Sequence, residues 1–217
     1  MSRVPVVING VLVEAEPGET ILNAARRAGV EIPTICHHER TGTKGLCRLC
    51  VVEMAGRGRP EPACATEVAA GMVVNTESEE LAALRRTVLE LVALETNVEH
   101  DDGLAGWLEK YGADPARWGE PLAGRRARQT IRDNAFYLRE YDKCYNCRRC
   151  LDACGEGIQG VWALAFAGRG AEAGVTTVFD LTLAEAGCVF CGNCVQVCPT
   201  GALVPLEEIS LAAGGLL

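Results

Sequence analysis

The sequence predicts an α+β chain in three parts: a small mixed sheet with one helix, a helical connector, and a cysteine-dense C-terminal segment. Three observations carry that expectation. Val4 to Ile8 and Val11 to Glu14 flank Asn9-Gly10, the strongest short hairpin signal, with a helix and further short strands behind them. Leu81, Leu84, Val88, Leu91 and Val92 recur at helical spacing. The 12 cysteines fall into two groups, one near each end, with none between Cys64 and Cys144.

Each element has a local cause. Asn-Gly accepts the positive backbone dihedrals of a type I′ turn. Thr20 caps a helix to Ala28, with Ile21, Leu22, Ala25 and Ala28 on one face and Gly29 as the stop. Val51 to Met54, Ala63 to Ala65 and Met72 to Val74 read as short strands, and the whole looks like a β-grasp module over 1–77. Thr76-x-x-Glu79 reads as a capping box for a helix running to about Glu95. Gly103, Gly106, Gly112, Pro115, Gly119, Pro121 and Gly124 break the following stretch, so a short helix near Leu104 to Tyr111 is expected inside an irregular connector over 78–135. The C-terminal segment then occupies 136–217.

Parts this small cannot rely on an apolar core alone, so metal staples are expected to contribute to their stability. The formal charge is -8. Three bound clusters with four thiolates each would carry it to about -14, which makes nucleic acid an unsuitable partner. Met1 to Gly18 lacks the unbroken apolar stretch of a signal peptide, and no segment approaches the roughly 18 apolar residues that span a bilayer. A soluble cytoplasmic protein without membrane insertion is expected, in a compartment where thiols stay reduced. Arg125, Arg126, Arg128 and Arg132 form either a docking patch or a solvated helix face.

Cys188-x2-Cys191-x2-Cys194-x3-Cys198-Pro199 is the bacterial ferredoxin run, and Cys144-x2-Cys147-x2-Cys150-x3-Cys154 repeats its spacing. Such a loop wraps three thiolates around one cluster and leaves the fourth ligand to a distant cysteine. In two-cluster ferredoxins the fourth cysteine of each run serves the other cluster. On that rule Cys144, Cys147 and Cys150 share a 4Fe-4S cluster with Cys198, while Cys188, Cys191 and Cys194 share another with Cys154. Zinc favours two separated Cys-x2-Cys pairs, which these runs do not form. Gly155 stands where the second run has Pro199. The N-terminal set, Cys36-x10-Cys47-x2-Cys50-x13-Cys64, has a spacing of its own and suits a 2Fe-2S cluster or, less well, zinc. Gly42 and Gly45 would let backbone amides turn toward sulfur there. His37 and His38 are read as supporting or surface residues, because four cysteines complete the site.

These residues resemble a known family: the iron–sulfur segment shared by the large NADH-oxidising subunit of complex I, the small diaphorase subunit of NAD-linked hydrogenases, and the N-terminal part of NAD-linked formate dehydrogenases. The likeness rests on Ile32-Pro33-Thr34-Ile35-Cys36, Leu46-Cys47-Arg48-Leu49-Cys50-Val51-Val52-Glu53, Pro62-Ala63-Cys64 and Gly71-Met72-Val73-Val74. It continues through Tyr141-Asp142-Lys143-Cys144, Gln159-Gly160-Val161-Trp162-Ala163, Ala167-Gly168-Arg169-Gly170 and Cys198-Pro199-Thr200-Gly201-Ala202-Leu203. The family usually inserts a further 4Fe-4S site held by one histidine and three cysteines. Here that stretch, after Leu89-Glu90-Leu91, has no cysteine; His100 stands near the first cysteine position and Thr96 or Val98 near the histidine.

Gly168-x-Gly170-x3-Gly174 has the wrong spacing for a dinucleotide fingerprint, and no flavin, molybdenum or hydrogen-activating site is left once all cysteines are allotted. The resemblance therefore implies an electron-transfer subunit with one 2Fe-2S and two 4Fe-4S clusters. Its partners would be an NAD(P)-binding flavoprotein and a catalytic formate dehydrogenase or hydrogenase subunit. The alternatives are a free-standing carrier serving several enzymes and a cluster-based sensor; no basic stripe or DNA-binding helix pair supports the latter.

Overall fold

The computed structural model describes residues 3–96, 102–119 and 130–207. His100, Val98, Arg125, Arg126 and Arg128 lie outside them, so the expectations attached to those residues do too. Two compact units account for the chain: Met1–His37 with Thr43–Leu89 and Trp107–Ala113, and His38–Gly42 with Glu90–Gly106 and Asp114–Leu217.

The first unit is built on a five-stranded sheet. β1 (Val4–Ile8) and β2 (Val11–Ala15) pair antiparallel, with Ile8 opposite Val11 across the turn. Asn9 and Gly10 both take positive φ, 51° and 81°, as the type I′ turn requires. β3 (Val51–Met54), β4 (Glu61–Pro62) and β5 (Val73–Asn75) complete the order β2-β1-β5-β3-β4, in which β1 and β5 run parallel. The expected strand at Ala63 to Ala65 sits two residues earlier. After Pro62 the chain turns, with the Ala65 and Thr66 amides both donating to the Pro62 carbonyl. The expected strand at Met72 is shifted later by one residue.

α1 (Ile21–Arg27) is capped by Thr20, whose hydroxyl accepts from the Asn23 amide, and Gly29 at φ 75° ends it. It buries Ile21, Leu22, Ala24 and Ala25 in the core with Val6, Ile8, Val13, Val52 and Val74. Each large aliphatic chain hidden there contributes roughly 2 kcal/mol.

α2 (Glu79–Glu95) follows the predicted span but not the predicted cap or face. Ser78 caps it, accepting from the Leu81 amide at 3.1 Å. Thr76 is buried instead and locked to Asn9, which donates to the Thr76 hydroxyl at 2.7 Å and accepts from its amide at 2.8 Å. The Asn9 side chain outcompetes the capping box because it ties the first hairpin to the end of β5. Along α2 the buried row is Leu81, Arg85, Leu89 and Ala93, whereas Leu84 and Leu91 are exposed. α3 (Asp102–Tyr111) realises the expected short helix.

In the second unit, β6 (Tyr137–Arg139) pairs antiparallel with β9 (Leu203–Pro205), bringing together the approach to the first cysteine run and the exit from the second. α4 (Arg149–Cys154) carries Cys150 and Cys154 of the first run, and α5 (Asn193–Gln196) carries Cys194 of the second. Between them lies a hairpin not anticipated from the sequence, β7 (Leu164–Ala167) against β8 (Gly174–Thr177). Gly168 and Gly170 take positive φ in its turn, which accounts for their spacing without any nucleotide. No helix among the described residues is long and apolar enough to cross a membrane.

Candidate iron–sulfur sites

The N-terminal cysteines converge because of the β3–β4 hairpin. Val51 opposes Pro62, so Cys50 and Cys64 flank the same end of that pair, and the Ala63 amide donates to the Cys50 carbonyl at 3.1 Å. The loop from Cys36 to Cys47 brings the other two in; Gly45 at φ 60° bends it, Arg48 at φ 61° turns the chain on toward Cys50, and the Cys47 amide donates to Cys36 Sγ at 3.4 Å. Cys36, Cys50 and Cys64 are buried. The Cys36 thiol hydrogen-bonds Cys47, which pushes Cys36 up and holds Cys47 down to about 5. Cys50 and Cys64 form a second such pair, Cys50 raised and Cys64 lowered. Two thiol pairs brought in by the hairpin and the loop are a donor set suited to a metal cluster.

Neither histidine next to Cys36 is a simple surface residue. His37 is buried, with Nδ1 3.1 Å from the Thr43 hydroxyl, and His38 Nδ1 accepts from the Arg40 amide at 3.2 Å. Thr96, at one candidate position of the family's extra ligand, is buried and donates to the Asp142 carbonyl at 3.3 Å. Glu90 is buried as well, accepting from Arg117 Nη1 at 3.2 Å and Trp118 Nε1 at 3.1 Å. Buried hydrogen bonds and an ion pair thus hold the connector at this point.

Two small cavities among the described residues of the second unit are walled by cysteines. One is lined by Cys144, Cys147, Cys150 and Cys198 together with apolar groups from Tyr141, Val175, Pro199 and Leu203. The other is lined by Cys154, Cys188, Cys191 and Cys194 with Val161, Leu164 and Leu183. Each cavity draws three sulfurs from one run and the fourth from the other. Burial pushes the Cys147 and Cys194 thiols up to about 12 and Cys150 well above its ordinary value. Loading either site therefore displaces protons, which makes uptake pH-dependent. All 12 cysteines are free of disulfides. Enclosed, apolar-walled spaces with four thiols each fit 4Fe-4S clusters.

Local backbone explains the arrangement. Asn146 and Arg148 in the first run and Phe190 and Gly192 in the second all take positive φ, between 51° and 76°. That conformation turns the Asn146 amide onto Cys144 Sγ at 3.4 Å and the Phe190 amide onto Cys188 Sγ at 3.3 Å. Such N–H···S contacts stabilise thiolate and tune a bound cluster. The spacing alone did not disclose Arg85, whose guanidinium meets the carbonyls on both sides of Cys50. A charged residue inside an apolar helical row was the available signal.

Comparison with known proteins gives two matches in separate parts of the chain. Residues 2–79 match the 2Fe-2S iron-sulfur cluster binding domain and residues 143–202 the 4Fe-4S dicluster domain. The chain is 36% identical over 96% of its length to the NADP-reducing hydrogenase subunit HndD of Solidesulfovibrio fructosivorans, of which it covers 37%. It is 33% identical over 93% of its length to the alpha subunit of the NADPH-Fe(3+) oxidoreductase of Geobacter sulfurreducens, covering 24% of that protein. The chain thus spans well under half the length of these curated relatives. A chain in the crystal structure of an NAD+-reducing NiFe-hydrogenase in the H2-reduced state superposes with a TM-score of 0.79 at 26% identity, covering 93% of this chain and 87% of that one.

Proposed function

We propose that this chain, an iron–sulfur electron-transfer subunit homologous to subunits of NAD(P)-linked hydrogenases and oxidoreductases, relays electrons between an NAD(P)-binding flavoprotein and a separate catalytic subunit. The observation that carries this reading is the pair of cysteine-walled cavities, each completed by a sulfur from the other run. Cys144, Cys147, Cys150 and Cys198 would hold one 4Fe-4S cluster; Cys188, Cys191, Cys194 and Cys154 would hold a second. Cys36, Cys47, Cys50 and Cys64 would hold a 2Fe-2S cluster. When bound, such groups exchange single electrons, whereas a nicotinamide exchanges hydride, so a flavin partner is needed as converter.

The chain's own residues hold the sulfurs in place and exclude water. The Asn146 and Phe190 amides donate to sulfur, the Tyr137 hydroxyl fixes the Phe190 carbonyl at 2.7 Å, and Tyr141, Leu164, Val175, Leu183 and Leu203 close the apolar walls. The named hydrogenases favour a hydrogenase as the catalytic partner; a formate dehydrogenase rests on the motif resemblance. Work in the cytoplasm, where the thiols stay reduced, completes the proposal.

Anaerobic iron and sulfide analysis tests the cofactor set. One 2Fe-2S and two 4Fe-4S centres give about ten iron atoms per chain, and about fourteen would require a further site. The reconstituted chain should restore electron flow when added to flavoprotein and catalytic subunit together. NADH oxidation by the pure, flavin-free chain would defeat the relay reading, and purification without any companion polypeptide would favour a free carrier.

A further inference from the structure

We infer that Arg85 is the buried counter-charge of the N-terminal cysteine site and makes that site easier to reduce; the inference rests on Cys36, Cys47, Cys50 and Cys64 holding the cluster. Arg85 lies in α2 and is fully buried. Its Nε donates to the Leu49 carbonyl at 3.2 Å and its Nη2 to the Val51 carbonyl at 2.8 Å. The guanidinium fork therefore grips the backbone on both sides of Cys50. Its Nη1 donates to the Tyr111 hydroxyl at 3.0 Å.

These three acceptors are neutral. They satisfy hydrogen bonds without cancelling the charge, and a buried cation without an anion is costly. The carboxylate within ion-pair reach, Glu77, stands 3.6 Å from Nη1 and is half exposed, so solvent screens it. Cys50 lies between the two gripped carbonyls, and the cysteine site it belongs to, with Cys36 and Cys64 also buried, would supply buried negative charge once it holds the cluster.

A 2Fe-2S centre with four thiolates carries a formal charge of about -2, and about -3 once one electron enters. A fixed positive charge beside it favours the more negative state, and burial leaves that preference largely unscreened. Arg85 thus acts through position as well as charge: the fork sets the peptide planes flanking Cys50, and the guanidinium offsets the incoming electron. Lysine could supply the charge but not the paired grip.

The test uses the full chain loaded anaerobically, with dithionite as the electron donor, and follows the paramagnetic signal of the reduced 2Fe-2S centre during a redox titration. Arg85→Met should keep its iron but lower the equilibrium constant for reduction about tenfold, a downward shift of 59 mV for one electron. Arg85→Lys should recover most of that shift, and the 4Fe-4S signals should not move in either variant. An unchanged potential in iron-replete Arg85→Met overturns the inference, as does Arg85→Lys falling as far as Arg85→Met. If neither Arg85→Met nor Arg85→Lys loads, Arg85→Gln decides: its amide keeps a donor for the Leu49 or Val51 carbonyl without the charge and should lower the constant about tenfold, whereas an unchanged potential overturns the inference. Absence of a 2Fe-2S signal in the unsubstituted chain would instead overturn the ligand assignment, a separate and distinguishable result.

Discussion

In the first C-terminal cysteine run, Asn146 and Arg148 take the left-handed conformation; in the second, Phe190 and Gly192 take it at the matching positions. The first cysteine of each run accepts an amide hydrogen bond from the residue two places on, at 3.4 and 3.3 Å. The surroundings differ. Cys150, at the first site, is buried on a helix of six residues, whereas Cys191, at the second, is exposed and α5 has four residues. Phe136, beside Phe190 with ring centroids 5.2 Å apart, is itself half exposed, and so is Val189. Local backbone conformation therefore suffices to place three sulfurs, while packing decides how far each site is shielded. The two sites should differ in accessibility more than in geometry.

The largest test breaks the crossed connection. Cys198→Ala should abolish or convert the cluster at Cys144, Cys147 and Cys150, although Cys198 lies in the run of the other site. Cys154→Ala should damage the Cys188, Cys191 and Cys194 site in the reciprocal way. Paramagnetic resonance of the two reduced variants reads the outcome. If each variant loses the site of its own run instead, the sulfurs are not exchanged.

The second test concerns what fixes the approach to each run. The first run is tied through Asn146, which donates to Glu95 and to the Ala173 carbonyl. The second depends on Asp133, which pairs with buried Arg139 and accepts from the Leu183 amide at 2.9 Å. Asp133→Asn leaves a buried guanidinium without its carboxylate and should cost about 3 kcal/mol in chemical denaturation. Burial pushes the Asp133 carboxyl up, but hydrogen bonds from Asn134 and Leu183 and the charge of Arg139 outweigh it, and the folded value lies below the ordinary one. Its contribution is therefore full above the ordinary carboxylate value and is lost as pH falls through the lowered folded value. The Asn variant should lack this part of the acid limb. Equal pH dependence in both proteins would show that Asp133 adds nothing by ionisation.

What could be read beforehand follows the range of the interactions. The doubled cysteine spacing, the Asn9-Gly10 turn and the Thr20 cap are local, and each is found where its residues stand. Errors arose where a distant group intervened. Thr76 is held by Asn9, which reaches it across the sheet, and Ser78 caps α2 in its place. Leu84 and Leu91 looked like the inner row of α2, yet Arg85 occupies that row because the carbonyls of Leu49 and Val51 need donors. The β7–β8 hairpin was signalled by Gly168 and Gly170, but weakly, since Ala and Gly dominate its turn. Burial of the cysteines also lay beyond the pattern: spacing sets which sulfurs can meet, and the surrounding tertiary contacts set how deep they lie.

The smallest expected effect sharpens the comparison at the one place where the runs differ in sequence next to a ligand. Pro199 follows Cys198, but Gly155 follows Cys154, at an ordinary φ of -93°. A Cβ at Gly155 would meet the Trp162 ring at 2.8 to 3.0 Å, closer than packed atoms tolerate. Trp162 takes φ 61°, and its amide donates to the Cys154 carbonyl at 3.1 Å, so the ring is held over this turn. Gly155→Ala should therefore cost about 1 kcal/mol, the lower end for overpacking, because the half-exposed ring can yield a little. In a Trp162→Ala background the same substitution should be close to neutral, since the colliding ring is gone. Denaturation midpoints of the four proteins complete the cycle. Equal costs in both backgrounds would mean that Trp162 does not set the residue after Cys154.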